Sequence, residues 1–138
     1  MRPAEAIRKA LQEHRVVAIT GGPNTGKTTF ANRAHRANPN LLLIGGDSYM
    51  HHGWSESSQM LMQAVNAESI GKVLVEGVQV PRAIRKGMRV DCLIVLIKVY
   101  GKNTKRQAAM AKGVHTVMAE LLRDKQLAKT MEIITLLD

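Results

Sequence analysis

In VVAITGGPNTGKTTF, which spans residues 16–30, Gly21 and Gly26 are separated by four residues and followed at once by Lys27 and Thr28. Glycines let a backbone curl until several N–H groups point at one anion, and a helix starting just beyond adds the positive end of its dipole. Gly21, Gly22, Pro23, Asn24, Thr25, Gly26, Lys27, Thr28 and Thr29 therefore form a candidate cradle for the phosphates of a nucleoside triphosphate. In such a cradle Lys27 reaches the β- and γ-phosphates and the Thr28 hydroxyl binds Mg²⁺.

A loop of this kind needs a strand before it and a helix after it. Four short aliphatic runs, Val16–Thr20, Leu41–Ile44, Lys72–Glu76 and Cys92–Val99, are too short for helices and are flanked by glycine or polar residues. Their continuous hydrophobicity predicts parallel strands covered on both faces. Met131–Leu137 is a fifth candidate. Between them, Pro3 opens an amphipathic helix with Ile7, Ala10 and Leu11 on one stripe. Ser55 or Ser57 is positioned to cap a helix running to about Ser69 and ended by a left-handed Gly71, and Pro81–Lys86 forms a short helix stopped by Gly87. Apolar spacing makes most of Thr104–Ala128 helical, with Gly113 its weak point. Strands alternating with helices predict an α/β fold, a parallel sheet with helices on both faces.

That geometry ranks the acidic residues. Asp91 precedes its strand and falls at the edge opposite the loop, whereas Glu76 closes its strand at the carboxyl edge, where open α/β sheets bind ligands. Glu76 is thus the candidate for holding Mg²⁺ with Thr28; the alternative is a strand-end carboxylate that caps backbone or pairs with an arginine. Asp47, after Gly45 and Gly46, lies at the same edge, either where an acceptor hydroxyl meets the γ-phosphate or as an ordinary turn aspartate. Lys102, Lys105 and Arg106 follow the fourth strand there, and cations at that position clamp a transferring phosphoryl group. His51, His52 and Trp54 either line an acceptor pocket or are loop residues, and the adjacent histidines lack the spacing of paired zinc ligands.

The GGPNTGKT segment is that of a Walker A motif, so the chain resembles the P-loop NTPase superfamily. With Asp47-Ser48-Tyr49 after the second strand and Val-Leu-Val-Glu76-Gly77 at the third, it is similar to the uridine kinase-like branch of small P-loop kinases. The resemblance implies a three-layer fold of about five parallel strands in the order 2-3-1-4-5, with the Glu76 strand beside the loop strand. It also implies that Asp47 helps deprotonate the acceptor, and that Arg106 belongs to a mobile basic lid. The expected activity is an ATP-dependent kinase that moves the γ-phosphate of ATP, or of another NTP, to a hydroxyl or phosphate acceptor with Mg²⁺. The small-molecule acceptor itself is left open.

Composition bounds these readings. At 138 residues, 45% hydrophobic and 22% charged, the chain suits one nucleotide-binding domain over 1–138. Its longest apolar run, Cys92–Ile97, has 6 residues, far below the ~20 of a membrane span. No secretory signal is evident, so a cytoplasmic protein without a membrane partner is expected. The lone Cys92 reads as a core side chain and suggests no metal site. The formal charge of +9 is concentrated: Arg82, Arg85, Lys86, Arg89, Lys98, Lys102, Lys105, Arg106 and Lys112 face Asp91 alone between residues 81 and 112. This segment keeps open a nucleic-acid-associated NTPase or polynucleotide kinase, although only four aromatics (Phe30, Tyr49, Trp54, Tyr100) are present to stack bases. A nucleotide-binding regulatory protein with little turnover is a third reading.

Overall fold

The structure is a computed structural model and describes residues 1–137; Asp138, the last residue of the expected domain, lies outside the described residues. Five strands, β1 (Val16–Gly21), β2 (Leu42–Gly45), β3 (Val73–Glu76), β4 (Cys92–Leu96) and β5 (Glu132–Leu136), form one sheet in the order β2-β3-β1-β4-β5. Every pairing is parallel. The expected α/β architecture and strand order are therefore both present, with β3 lying between β1 and β2.

Alternate residues of the central strands feed two cores, as the period of two requires. On one face Val16, Ala18, Val73, Val75, Leu93 and Val95 pack with side chains of α3 (Trp54–Ala67), α4 (Val80–Arg85) and α5 (Lys105–Leu122). On the other, Val17, Ile19, Leu74, Cys92, Ile94 and Leu96 meet α1 (Pro3–Glu13) and α2 (Lys27–Ala37). Burial on both faces explains why these strands read as unbroken aliphatic runs. Among the described residues no helix is long and apolar enough to cross a membrane.

Several element boundaries differ from expectation for local reasons. β4 stops at Leu96, three residues short of Val99, because its β1 neighbour ends at Gly21, the partner of Leu96. Helix α3 starts at Trp54 with Gly53 at its N-cap, and neither Ser55 nor Ser57 caps it. The Ser57 and Ser58 hydroxyls instead donate to the Trp54 carbonyl within the helix. The same helix ends at Ala67, and Gly71 is not left-handed. The Glu68 carboxylate organises that turn by accepting from the Ile70 and Gly71 N–H groups. The long helix expected over Thr104–Ala128 divides into α5 and α6 (Lys125–Thr130), since Asp124 accepts from the N–H groups of Gln126 and Leu127 and starts a new helix. Gly113 remains within α5.

Asp91 occupies the amino edge, as its place before β4 requires. Its Oδ2 accepts from Val16 N–H at 2.9 Å, and its own N–H donates to the Val16 carbonyl at 2.9 Å, joining the starts of β1 and β4. Asp91→Ala is expected to lower the unfolding free energy by about 1–2 kcal/mol, the scale of a lost charge-assisted backbone bond. Urea denaturation checks the loss, and ligand binding at the opposite edge should be unchanged.

Candidate functional site

The chain leaves β1 at Gly21, turns through residues 22–26 and enters α2 at Lys27. Asn24 (φ 63°) and Gly26 (φ 84°) are both left-handed, which folds the loop back on itself. The buried Thr25 hydroxyl donates to the Gly22 carbonyl at 2.9 Å and fixes that curl. Gly26 stands at the N-cap of α2 and has no side chain to offer, so the first-turn N–H donors of the helix lack a capping acceptor. A cradle with unspent donors results. Lys27 Nζ donates to the Gly22 carbonyl at 3.2 Å across the loop. Burial lowers the pKa of Lys27, against the opposing pull of Glu76 and Asp47.

Two carboxylates meet this loop. Register places Glu76 level with Ile19 of β1 and Gly45 of β2, and its side chain is 4% exposed. Its Oε2 accepts from the Thr28 hydroxyl at 3.3 Å. Burial raises its pKa, the neighbouring charge of Asp47 raises it further, and Lys27 and the Thr28 bond oppose both. Asp47 sits on a 3-10 turn, Gly46–Tyr49, directly after β2, and is exposed. Lys27, Thr28, Glu76 and Asp47 thus converge from three chain segments. The hydroxyl and carboxylate oxygens are hard donors of the kind Mg²⁺ takes, and the like-charge pressure on Glu76 is what a divalent cation relieves, so the residues fit that ion.

Gln79 was not evident in the sequence, yet it fixes the Asp47 turn. It is fully buried, and its Nε2 donates to the Gly46 carbonyl at 2.9 Å and to Met50 Sδ. A Cβ on Gly46 would lie 2.2 Å from Gln79 Oε1, so glycine is required beneath this side chain. A buried glutamine one turn beyond a strand carries no sequence signal that separates it from a solvated one.

The remaining expected residues divide between two places. Gly21 closes β1, Pro23 is half-buried in the loop, and Gly22 lies under α5, where an added Cβ would stand 2.7 Å from that of Ala111. Asn24 Nδ2 donates to Asn103 at 2.9 Å and Gln107 at 3.3 Å, while Tyr100 N–H donates to the Asn24 carbonyl. The segment after β4 therefore covers the loop. Thr29 joins Asn24, Phe30, Arg33 and Tyr100 around a cavity of about 400 Å³ beside the start of α2. Arg106 does not join the four converging residues as a contact; it lines a separate cavity of about 490 Å³ with His52, Trp54 and Arg82.

The basic residues of 81–112 are dispersed. Arg85 pairs with Glu120 at 2.6 Å, Lys86 binds the Ser55 carbonyl and hydroxyl, and Arg89 bonds Asn66, all away from the loop along α4 and beyond. At the amino edge Cys92 is fully buried, its thiol pushed up to about 12 by that burial and by nearby carboxylates, and His14 bonds Glu132 beside it at 2.8 Å. A scan against protein-family models finds no match to the chain. A search of curated proteins finds none with significant similarity.

The electrostatics of Glu76 give a signed expectation for the metal-free protein. A carboxyl with a raised folded-state pKa holds its proton to higher pH than in the unfolded chain, so stability falls as pH rises through that interval. Glutamine cannot titrate and escapes the fall. Glu76→Gln should be more stable than the parent at pH 8 in the presence of a chelator, and the gain should shrink as pH drops into the carboxylate range. Thermal melts from pH 4 to 8 measure it; a difference independent of pH would remove the like-charge account.

Proposed function

We propose that the chain is an ATP-dependent phosphotransferase of the P-loop type, moving the γ-phosphoryl group to a small acceptor. The observation that carries this reading is the convergence of Lys27, Thr28, Glu76 and Asp47 on an uncapped glycine-rich loop, with Thr28 Oγ1 at 3.3 Å from Glu76 Oε2. Loop amides and Lys27 hold the β- and γ-phosphates, replacing the internal bond that Lys27 makes to Gly22. Phe30, Arg33 and Tyr100 line the cavity next to the loop, and two rings with a guanidinium suit a planar base. Mg²⁺, held by Thr28 and Glu76, supplies charge neutralisation on the phosphate oxygens when bound.

Asp47 is the exposed carboxylate of the pair, open to an acceptor arriving from solvent. It receives the acceptor's hydroxyl proton. The acceptor oxygen bonds to the γ-phosphorus while the bond from that phosphorus to the β–γ bridging oxygen breaks, and ADP leaves with that oxygen. Catalysis on this account is positioning and charge stabilisation.

The test is γ-labelled ATP with Mg²⁺ against pooled nucleosides, nucleotides, sugars, sugar phosphates and 5′-hydroxyl oligonucleotides. Lys27→Ala should lower transfer by at least ~10²-fold with an unchanged circular dichroism spectrum. Asp47→Asn should cost roughly 10²–10⁴-fold in kcat while ATP affinity stays; transfer at the parental rate would end the role given to Asp47. Tyr100→Ala should weaken ATP binding about tenfold, the value of one stacked base. Label appearing only as free phosphate would favour a hydrolase.

A further inference from the structure

The cavity at Arg106 has a volume of about 490 Å³ and charged side chains on its lining. It opens between the start of α3, the β3–α4 connection and α5. Three chain paths join it to the loop site. Met50, on its wall, is one 3-10 turn from Asp47 and donates its N–H to the Asp47 carbonyl at 3.3 Å. Val78, also on its wall, is two residues beyond Glu76. Arg106 and Met110 flank Gln107 and Ala111, the α5 residues that touch the glycine-rich loop.

Its charges are of one sign. No carboxylate lines it, and among the described residues neither Arg82 nor Arg106 is within ion-pair distance of an acid. Half-buried Arg82 is held in place by Trp54, with its guanidinium carbon 4.7 Å from the ring centroid. Stacking uses the face of the guanidinium and leaves its N–H edge for an anion. His52 also lines the cavity, with its Nδ1 3.4 Å from Glu56 Oε1 outside it. Val78, Val114 and Val117 give the same cavity an apolar part of its lining.

We infer that this cavity takes the phosphoryl acceptor, and that the acceptor is a hydroxyl-bearing phosphomonoester of nucleotide or sugar-phosphate size. This inference rests on the phosphotransferase reading for the role of the occupant. Arg82 and Arg106 hold the acceptor's own phosphate, and its body lies on the valine wall. The accepting atom is a hydroxyl because it must approach Asp47: a carboxylate repels a phosphate oxygen but takes a hydroxyl proton. Transfer then yields ADP and an acceptor that carries one more phosphate ester. A volume of 490 Å³ admits one such molecule.

Trp54 is the single tryptophan of the chain and reports on the cavity directly. The full-length protein is titrated, without ATP, with ribose 5-phosphate, ribose, a nucleoside 3′- or 5′-monophosphate, the parent nucleoside and a 5′-hydroxyl oligonucleotide. The expected result is a saturable fluorescence change with the monomeric phosphomonoesters, at least tenfold tighter than with their unphosphorylated counterparts. Arg106→Gln should weaken that binding at least tenfold; it is the matched variant because Arg82→Met alters the surroundings of Trp54 itself. In the transfer assay Arg82→Met should raise the acceptor KM at least tenfold and leave the KM for ATP unchanged. Equal affinity for phosphorylated and unphosphorylated compounds, binding of the oligonucleotide alone, or wild-type affinity in Arg106→Gln would each overturn the proposal. Phosphomonoester binding in a protein that neither binds nor turns over ATP would overturn the phosphotransferase reading and leave the anion pocket standing.

Discussion

Glu76 is a carboxylate withdrawn from water, and the cation that relieves it is Lys27, an ammonium that is itself half-buried. Each charge is costly alone, and each is made tolerable by the other. That mutual dependence requires β3 to lie directly beside β1, so that the end of one strand faces the helix that follows the other. The strand order supplies this adjacency. Parallel register then brings the carboxyl ends of β1, β2 and β3 to one level, with Gly45 and Ile19 on either side of Glu76. The sheet functions here as a ruler that delivers charges to one rim.

Secondary contacts keep the rim from relaxing. Asp47 adds a second negative charge that Glu76 resists, so the 3-10 turn carrying it must be held against repulsion. Gln79 does this by bonding to the Gly46 carbonyl from a fully buried position, with Met50 as a second acceptor. Its Oε1 is the one buried side-chain polar atom without a partner among the described residues. An unsatisfied acceptor buried beneath the Asp47 turn is an energetic burden of the kind found where a fold trades stability for a fixed arrangement. Helix α5 supplies the other constraint. Ala111 rests on Gly22, and a capping box at Thr104 and Gln107 fixes the helix start over the loop.

What the sequence made legible follows from which interactions are local. The GxxxxGKT spacing, the aliphatic runs and the alternation of strand with helix depend on nearest neighbours and on one-dimensional pattern, and the sheet and the loop are where that pattern put them. Glu76 was legible because a strand end has a definite edge. Gly71 was misread because a glycine after a helix usually takes the left-handed cap, whereas here the Glu68 side chain closes the turn. The break between α5 and α6 was missed because Asp124 is a capping residue inside an apolar period that continues past it. Gln79 and Arg33 were missed, and Phe30 and Tyr100 were read only as aromatics that could stack nucleic-acid bases, because the placing of all four depends on what lies across from them and no local pattern records that.

The basic segment is the instructive case of charge read in one dimension. Nine cations in thirty-two residues suggest a polyanion track, but the segment leaves the rim along α4, returns through β4 and comes back over the loop. Arg85 is spent on Glu120, Lys86 on the Ser55 carbonyl and Arg89 on the Asn66 carbonyl. Arg82 and Arg106, separated by 24 positions in sequence, end on the lining of one cavity. The fold thus divides a diffuse positive tract into cations spent on local partners and two arginines that line one cavity. On the phosphotransferase reading, the loop and the cavity each supply cations to one anionic partner, and only a neutral hydroxyl of the acceptor is free of repulsion from the Asp47 carboxylate.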